Sequence, residues 1–182
     1  MPCGLVALVV ATVIATATPA ASAVVPATTD GGAAAAGLPT TLTDLRGRPV
    51  DVAALAAAHR VFVITLKATW CPVCQEQLGR LRALLPRLRS CGATFLVLAP
   101  GPADALRRIQ QDTAFPYPFI EDRDLAIARA LGLALDATQI LPAILEVDRT
   151  GVVLWAERGR SGAAFNDDAL LARLACPALR GV

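Results

Sequence analysis

The sequence predicts an α/β fold, and three observations carry that prediction. Val61–Leu66 is an apolar, largely β-branched run of strand length. Just beyond it, leucines at 78, 81, 84, 85 and 88 recur at the spacing of one helix face. Further strand-like runs follow at 94–99, 143–147 and 152–157, with helical patterns interspersed.

The chain has 182 residues, enough for one domain with a core plus a tail. Its hydrophobic fraction of 55% is inflated by alanine, and aromatics are only 4%. A formal net charge of +2 gives no electrostatic case for nucleic acid or an anionic membrane surface. Arg80, Arg82, Arg87 and Arg89 share one helix and read as a solvated face.

Residues 1–23 read as an export signal. Leu5–Ala17 is an apolar stretch of h-region length, and Ala21-Ser22-Ala23 is a small-x-small cleavage site. The stretch is shorter than the ~20 residues that span a bilayer. The expected location is therefore secreted or periplasmic. Cleavage would discard Cys3 and leave Cys71, Cys74, Cys91 and Cys176, an even number for an oxidising compartment. Residues 24–40, rich in Ala, Gly, Thr and Pro without periodicity, read as a flexible linker, and the domain proper is expected over 41–182.

Residues 45–52 read as a turn leading into a short strand, followed by a short helix over 53–58. His59, the sole histidine, precedes the central strand and so lies at the end opposite Cys71, which suits a structural or surface role rather than a catalytic base. The strand Val61–Leu66 runs into Trp70-Cys71-Pro72-Val73-Cys74. Two cysteines at that spacing are a dithiol, a disulfide or half a metal site. Cys71 falls where a strand ends and a helix begins, so unpaired N–H groups and the helix dipole favour its thiolate. Pro72 suits the first helical turn, where its missing N–H costs nothing. That helix is expected to run from about Pro72 to Arg89, with Pro86 kinking or ending it.

After the strand 94–99 and the break at Pro100-Gly101-Pro102, residues 103–112 read as a helix. Phe115–Ile120 is extended, with too many prolines for a central strand. A helix is expected from Glu121-Asp122-Arg123-Asp124 to Leu131, stopped by Gly132. Asp148–Gly151 is a turn between two strands, and Asn166 can cap a last helix running to about Cys176.

Ala68-Thr69-Trp70-Cys71-Pro72-Val73-Cys74 resembles the active site of the thioredoxin superfamily, most closely its TlpA-like and redoxin (AhpC/TSA-type) branch. The resemblance spans roughly residues 41–176. It implies a thioredoxin-like fold: a central mixed β-sheet flanked by helices, with an N-terminal β extension and a central helix/strand insertion. It implies a thiol–disulfide oxidoreductase in which Cys71 is the nucleophile and Cys74 resolves the mixed disulfide. Trp70, Pro72, Val73, Leu141 and Pro142 would contact substrate. Pro142 takes the place of the superfamily's cis-proline, which would leave the main chain of Leu141 free to pair with a substrate chain. Thr65 stands six before Cys71, where thioredoxins commonly carry a buried acid, so proton transfer would fall to water or to Glu76. Lys67 either points to solvent or lowers a thiolate pKa by its charge. In such a sheet the motif helix and the last helix cover one face, so Cys91 and Cys176 at their ends would form a disulfide; two buried thiols are the alternative.

The resemblance implies protein disulfide substrates, a membrane or soluble thiol–disulfide electron donor, no nucleic acid and a monomer. No cofactor or metal is called for, because the dithiol itself carries the electrons. The direction of electron flow is not written in the motif: similar sites range from about −270 to about −120 mV. The alternative function is a peroxiredoxin-like thiol peroxidase, with Cys71 as the peroxidatic cysteine. Against it, peroxiredoxins usually place a threonine three before that cysteine, and here Ala68 stands there. Metal delivery fits less well, since zinc needs four ligands and no histidine follows residue 59. A purely binding role would leave an intact WCxxC without use.

Overall fold

The computed structural model of the chain describes residues 37–159 and 165–177, together with Met1. The expected signal at 1–23 and most of the linker at 24–40 lie outside the described residues. The elements fall within one compact unit, Ala33–Val182.

A two-stranded hairpin comes first, β1 (Thr41–Thr43) against β2 (Pro49–Asp51). Order begins earlier than Thr41. Leu38 is buried, and its N–H donates to the Gly151 carbonyl at 2.9 Å. The approach is close because Gly151 has φ 81° and no Cβ, which would collide with the Leu38 carbonyl. Leu38 thereby joins Leu42, Val50 and Val147 in one part of the core, where the expectation had a free linker end. Asp51 caps α1 (Val52–Ala58), accepting from the Ala54 N–H at 2.9 Å.

The main sheet contains β3 (Arg60–Thr65), β4 (Ala93–Ala99), β5 (Phe119–Glu121), β6 (Ala143–Val147) and β7 (Val153–Arg158), in the order β5-β4-β3-β6-β7. β3, β4 and β5 are parallel, while β6 and β7 run antiparallel to their neighbours, so the sheet is mixed as expected. Strand alternation sends Phe62, Ile64, Phe95 and Val97 to one face and Val61, Val63, Leu96 and Leu98 to the other. The first face is covered by α2 (Pro72–Ser90), α3 (Ala103–Thr113) and α5 (Asp167–Leu174), the second by α1 and α4 (Ala126–Ala130).

α2 runs to Ser90, close to the expected end at Arg89, and is not ended by Pro86. Proline removes one hydrogen bond there, but Leu85 and Leu88 on either side are both buried in the core. α4 is shorter than expected. Glu121 completes β5, Leu125 turns through φ 55°, and the buried Asp122 carboxylate accepts from the N–H groups of Ile127 (3.1 Å) and Ala128 (2.7 Å). The acids therefore cap the helix from before it rather than forming its first turn.

α5 is held at both ends. Asn166 caps its start, accepting from the Asp168 N–H at 2.9 Å. Gln77 and Arg80 of α2 donate to Asp167, at 2.7 and 2.8 Å. At its end, Arg60 donates to the carbonyls of Arg173 and Leu174. Arg60 and Arg173 also converge on the buried Glu146 carboxylate, at 2.8 and 2.6 Å. Every buried side-chain nitrogen or oxygen among the described residues has a partner.

Candidate active site

The site is built where β3 hands the chain to α2. Cys71 is the N-cap of α2, with φ −81° and ψ 102°, and Pro72 opens the helix. The Cys71 sulfur accepts from the Cys74 N–H at 3.3 Å, as a capping side chain does. The Cys74 sulfur accepts from the Lys67 N–H at 3.4 Å. One turn of helix brings the two residues together, Cα to Cα 5.4 Å, and their sulfurs are joined as a disulfide. Both sit in the apolar core, Cys71 at 6% exposure and Cys74 at 2%.

The rim differs from this buried pair. Trp70 is 65% exposed and Val73 42%, with Pro72 exposed between them. Lys67 is half-buried, and its Nζ lies 5.6 Å from the Trp70 ring centroid, a cation–π contact. Glu76 is exposed on the next turn of α2.

The segment before β6 closes the other side. The Ile140 N–H donates to the Lys67 carbonyl at 3.1 Å, tying that segment to the exit of β3. Thr65 is buried, and its hydroxyl donates to the Leu141 carbonyl at 2.6 Å while accepting from the Ala143 N–H at 2.7 Å. It bridges the two main-chain groups flanking Pro142 and so has no proton to offer Cys74.

Pro142 departs from expectation. It is buried and its peptide bond to Leu141 is trans; the cis bond of the described residues is Gly101–Pro102. The main chain of Leu141 is not free either. Its N–H donates to the Leu133 carbonyl at 2.7 Å, through an antiparallel bridge pairing Ala134 with Ile140. With its carbonyl on Thr65, both groups expected to meet a substrate chain are engaged internally. The bonds to Leu133 and Thr65 stabilise the extended approach that the trans peptide gives.

The sequence-predicted residues thus fall into three places. Cys71, Cys74, Trp70, Pro72, Val73 and Lys67 form the motif and its rim. Thr65, Leu141 and Pro142 form the adjoining wall. Cys91 and Cys176 lie at the far ends of α2 and α5, joined as a disulfide with Cα atoms 5.7 Å apart. That is about 28 Å from the motif along the 19 residues of α2. Sequence reasoning missed Gln77, which is 3% exposed and binds the Phe165 carbonyl at 2.8 Å as well as Asp167. The signal was available: position 77 lies on the inward stripe with Cys74, Leu78 and Leu81, where an amide needs a partner. It also missed Leu133, whose part depends on a bridge that spacing does not announce.

Among the described residues, no group of three or more His, Cys, Asp or Glu could hold a metal ion, and no helix is long and apolar enough to cross a membrane.

Comparison with known proteins places the fold. The fold is shared with peroxidoxin BcpB from Mycobacterium tuberculosis at 20% identity and a TM-score of 0.63, covering 79% of this chain and 94% of that one. A secreted M. tuberculosis disulfide oxidoreductase homologous to E. coli DsbE matches at 21% identity and a TM-score of 0.58, covering 74% and 93%. Reduced Prx3 from Vibrio vulnificus, in complex with H2O2, matches at 21% identity and a TM-score of 0.65, covering 79% and 99%. These likenesses establish the thioredoxin-like fold. No curated protein matches the sequence. The AhpC/TSA family model matches residues 33–156, a span that holds the sheet through most of β7, the motif and the wall facing it. The chain belongs to the AhpC/TSA family.

Proposed function

We propose that this protein is an exported thiol–disulfide oxidoreductase acting on protein disulfides through Cys71 and Cys74. The observation that carries the reading is the Cys71–Cys74 pair, bonded across the first turn of an intact α2. In the reduced protein the Cys74 N–H and the helix N-terminus favour the Cys71 thiolate. That thiolate attacks one sulfur of a substrate disulfide. The S–S bond breaks, a mixed disulfide forms, and one substrate thiolate leaves. Cys74, as thiolate, then attacks the Cys71 sulfur and expels the second substrate thiolate. Two electrons pass to the substrate, and the Cys71–Cys74 bond is the oxidised product. A membrane or soluble dithiol donor in the envelope would restore the reduced state. The expected signal at residues 1–23 supports a secreted or periplasmic location.

Peroxidase chemistry asks for more. A peroxidatic thiolate needs donors that polarise the peroxide and stabilise the leaving hydroxide. Among the described residues, one N–H reaches the Cys71 sulfur and no guanidinium does. The peroxidoxin and Prx3 likenesses speak for fold alone.

The deciding experiment takes the fully reduced protein and follows Cys71 oxidation by thiol trapping and by the fluorescence of the adjacent Trp70. It compares insulin with hydrogen peroxide as oxidant. Fast reaction with insulin and slow reaction with peroxide is expected. Fast, saturable peroxide consumption would overturn the reading in favour of a thiol peroxidase.

A further inference from the structure

Lys67 is the only lysine in the chain; the rest of the 17 Lys and Arg residues are arginine. It stands four residues before Cys71. Its main chain is part of the site, the N–H on the Cys74 sulfur and the carbonyl taking the Ile140 N–H. Its ammonium lies over the exposed Trp70 ring. No carboxylate among the described residues forms an ion pair with it. Among the described residues, a partner arriving at Cys71 over Trp70, Pro72 and Val73 therefore meets an apolar ledge edged by the uncommitted positive charge of Lys67. It meets no free main chain at Leu141, whose N–H and C=O are both taken. With the Leu141 main chain engaged, recognition shifts to side chains, and the charge that complements Lys67 is negative.

Building on the oxidoreductase reading, we infer that Lys67 determines specificity by selecting polypeptide disulfides flanked by carboxylates. The apolar ledge favours a polypeptide over a small thiol, and the ammonium chooses among polypeptides by the charge beside their cystine. Lys67 acts on docking of the substrate and leaves the order of bond making and breaking as it is. This separates recognition from a general effect of the charge on the Cys71 thiolate, which would change every substrate's rate by the same factor.

The test uses the full, reduced protein and two matched sets of oxidants. One set holds small disulfides: dithiodipropionate (anionic), hydroxyethyl disulfide (neutral) and cystamine (cationic). The other holds two otherwise identical cystine-linked peptides with Glu or Lys beside the cysteine. Rates of Cys71–Cys74 oxidation are compared as ratios within each set. An exposed ion pair supports about a threefold gain for the anion and a similar loss for the cation, so the Glu peptide should react about tenfold faster than the Lys peptide. The ratio should shrink towards one at 1 M salt, where the screening length is about 3 Å. Lys67→Met should collapse it whatever common factor it applies to all rates, and Lys67→Arg should restore it.

Equal rates within both sets, or a ratio that survives Lys67→Met, would overturn the inference while leaving the oxidoreductase reading intact. A carboxylate preference confined to the small disulfides would overturn the polypeptide class. Failure of every disulfide to oxidise the protein would overturn the oxidoreductase reading and this inference with it.

Discussion

Replacing Cys91 and Cys176 together by serine removes a cross-link between residues 85 apart in sequence. Closing a loop of that length restricts the unfolded chain by about 4.5 kcal/mol in the entropy model. The folded state loses little, because α5 stays docked by other means. Leu170 and Leu174 are buried, Gln77 and Arg80 hold Asp167, and Arg60 holds the terminal carbonyls. The loss should therefore come through the unfolded state. At roughly 3–4 °C per kcal/mol for a domain of this size, the midpoint should fall by about 15 °C. The urea m-value should rise, since an uncross-linked chain exposes more surface. Thermal and urea denaturation of the oxidised wild type and double variant measure this, with Cys71–Cys74 intact in both. Disulfide exchange at 25 °C should persist in the variant. A fall of under about 4 °C with an unchanged m-value would refute the reasoning, because the cross-link would then not be limiting the unfolded ensemble.

Other outcomes follow from the same contacts. Cys71→Ser should abolish disulfide exchange, whereas Cys74→Ser should accumulate a mixed disulfide detectable by mass, since attack proceeds and resolution does not. Glu146→Gln should cost about 3 kcal/mol by leaving Arg60 and Arg173 without their buried carboxylate, read from urea denaturation. Burial alone would raise the pKa of Glu146, but hydrogen bonds and charge from the two arginines outweigh it and hold the carboxyl below its ordinary value of 4.5. A depressed folded pKa adds stability that is present above 4.5 and lost as pH falls through the folded value. The gap between wild type and Glu146→Gln should accordingly narrow below that pH. Thr65→Val keeps shape but leaves the Leu141 carbonyl and Ala143 N–H unpaired, and should cost about 1–3 kcal/mol by the same assay.

What the sequence disclosed was local or periodic. The run at 61–66, the leucine stripe of α2 and the cap at Asn166 each announce an element within a few residues, and the structure has them. The motif was legible for the same reason, because strand, cysteines and helix are contiguous. The rest depends on partners distant in sequence. The backbone at Pro142 is governed by Thr65 and Leu133, and neither the proline nor its neighbours reveal those bonds. Glu146 stands in an otherwise apolar strand, and only the approach of Arg60 and Arg173 explains why a carboxylate belongs there. Pro86 read alone should interrupt a helix, yet burial of Leu85 and Leu88 outweighs one missing bond.

The seat of Lys67 over Trp70 also bears on how the molecule can be handled. Amine-directed reagents have one side-chain target in the whole sequence, and it lies at the mouth of the dithiol. A dye, cross-linker or sensor surface attached through that amine would cover the approach to Cys71 and replace the positive charge with a bulky neutral group. Thiol-directed attachment meets the opposite condition in the oxidised form, because all four cysteines among the described residues are already paired. An inserted cysteine on the exposed face of α3 would leave the rim open. Acylation of Lys67 becomes a reporter in its own right: a bound partner should shield the amine, and the protected fraction would count occupied sites directly.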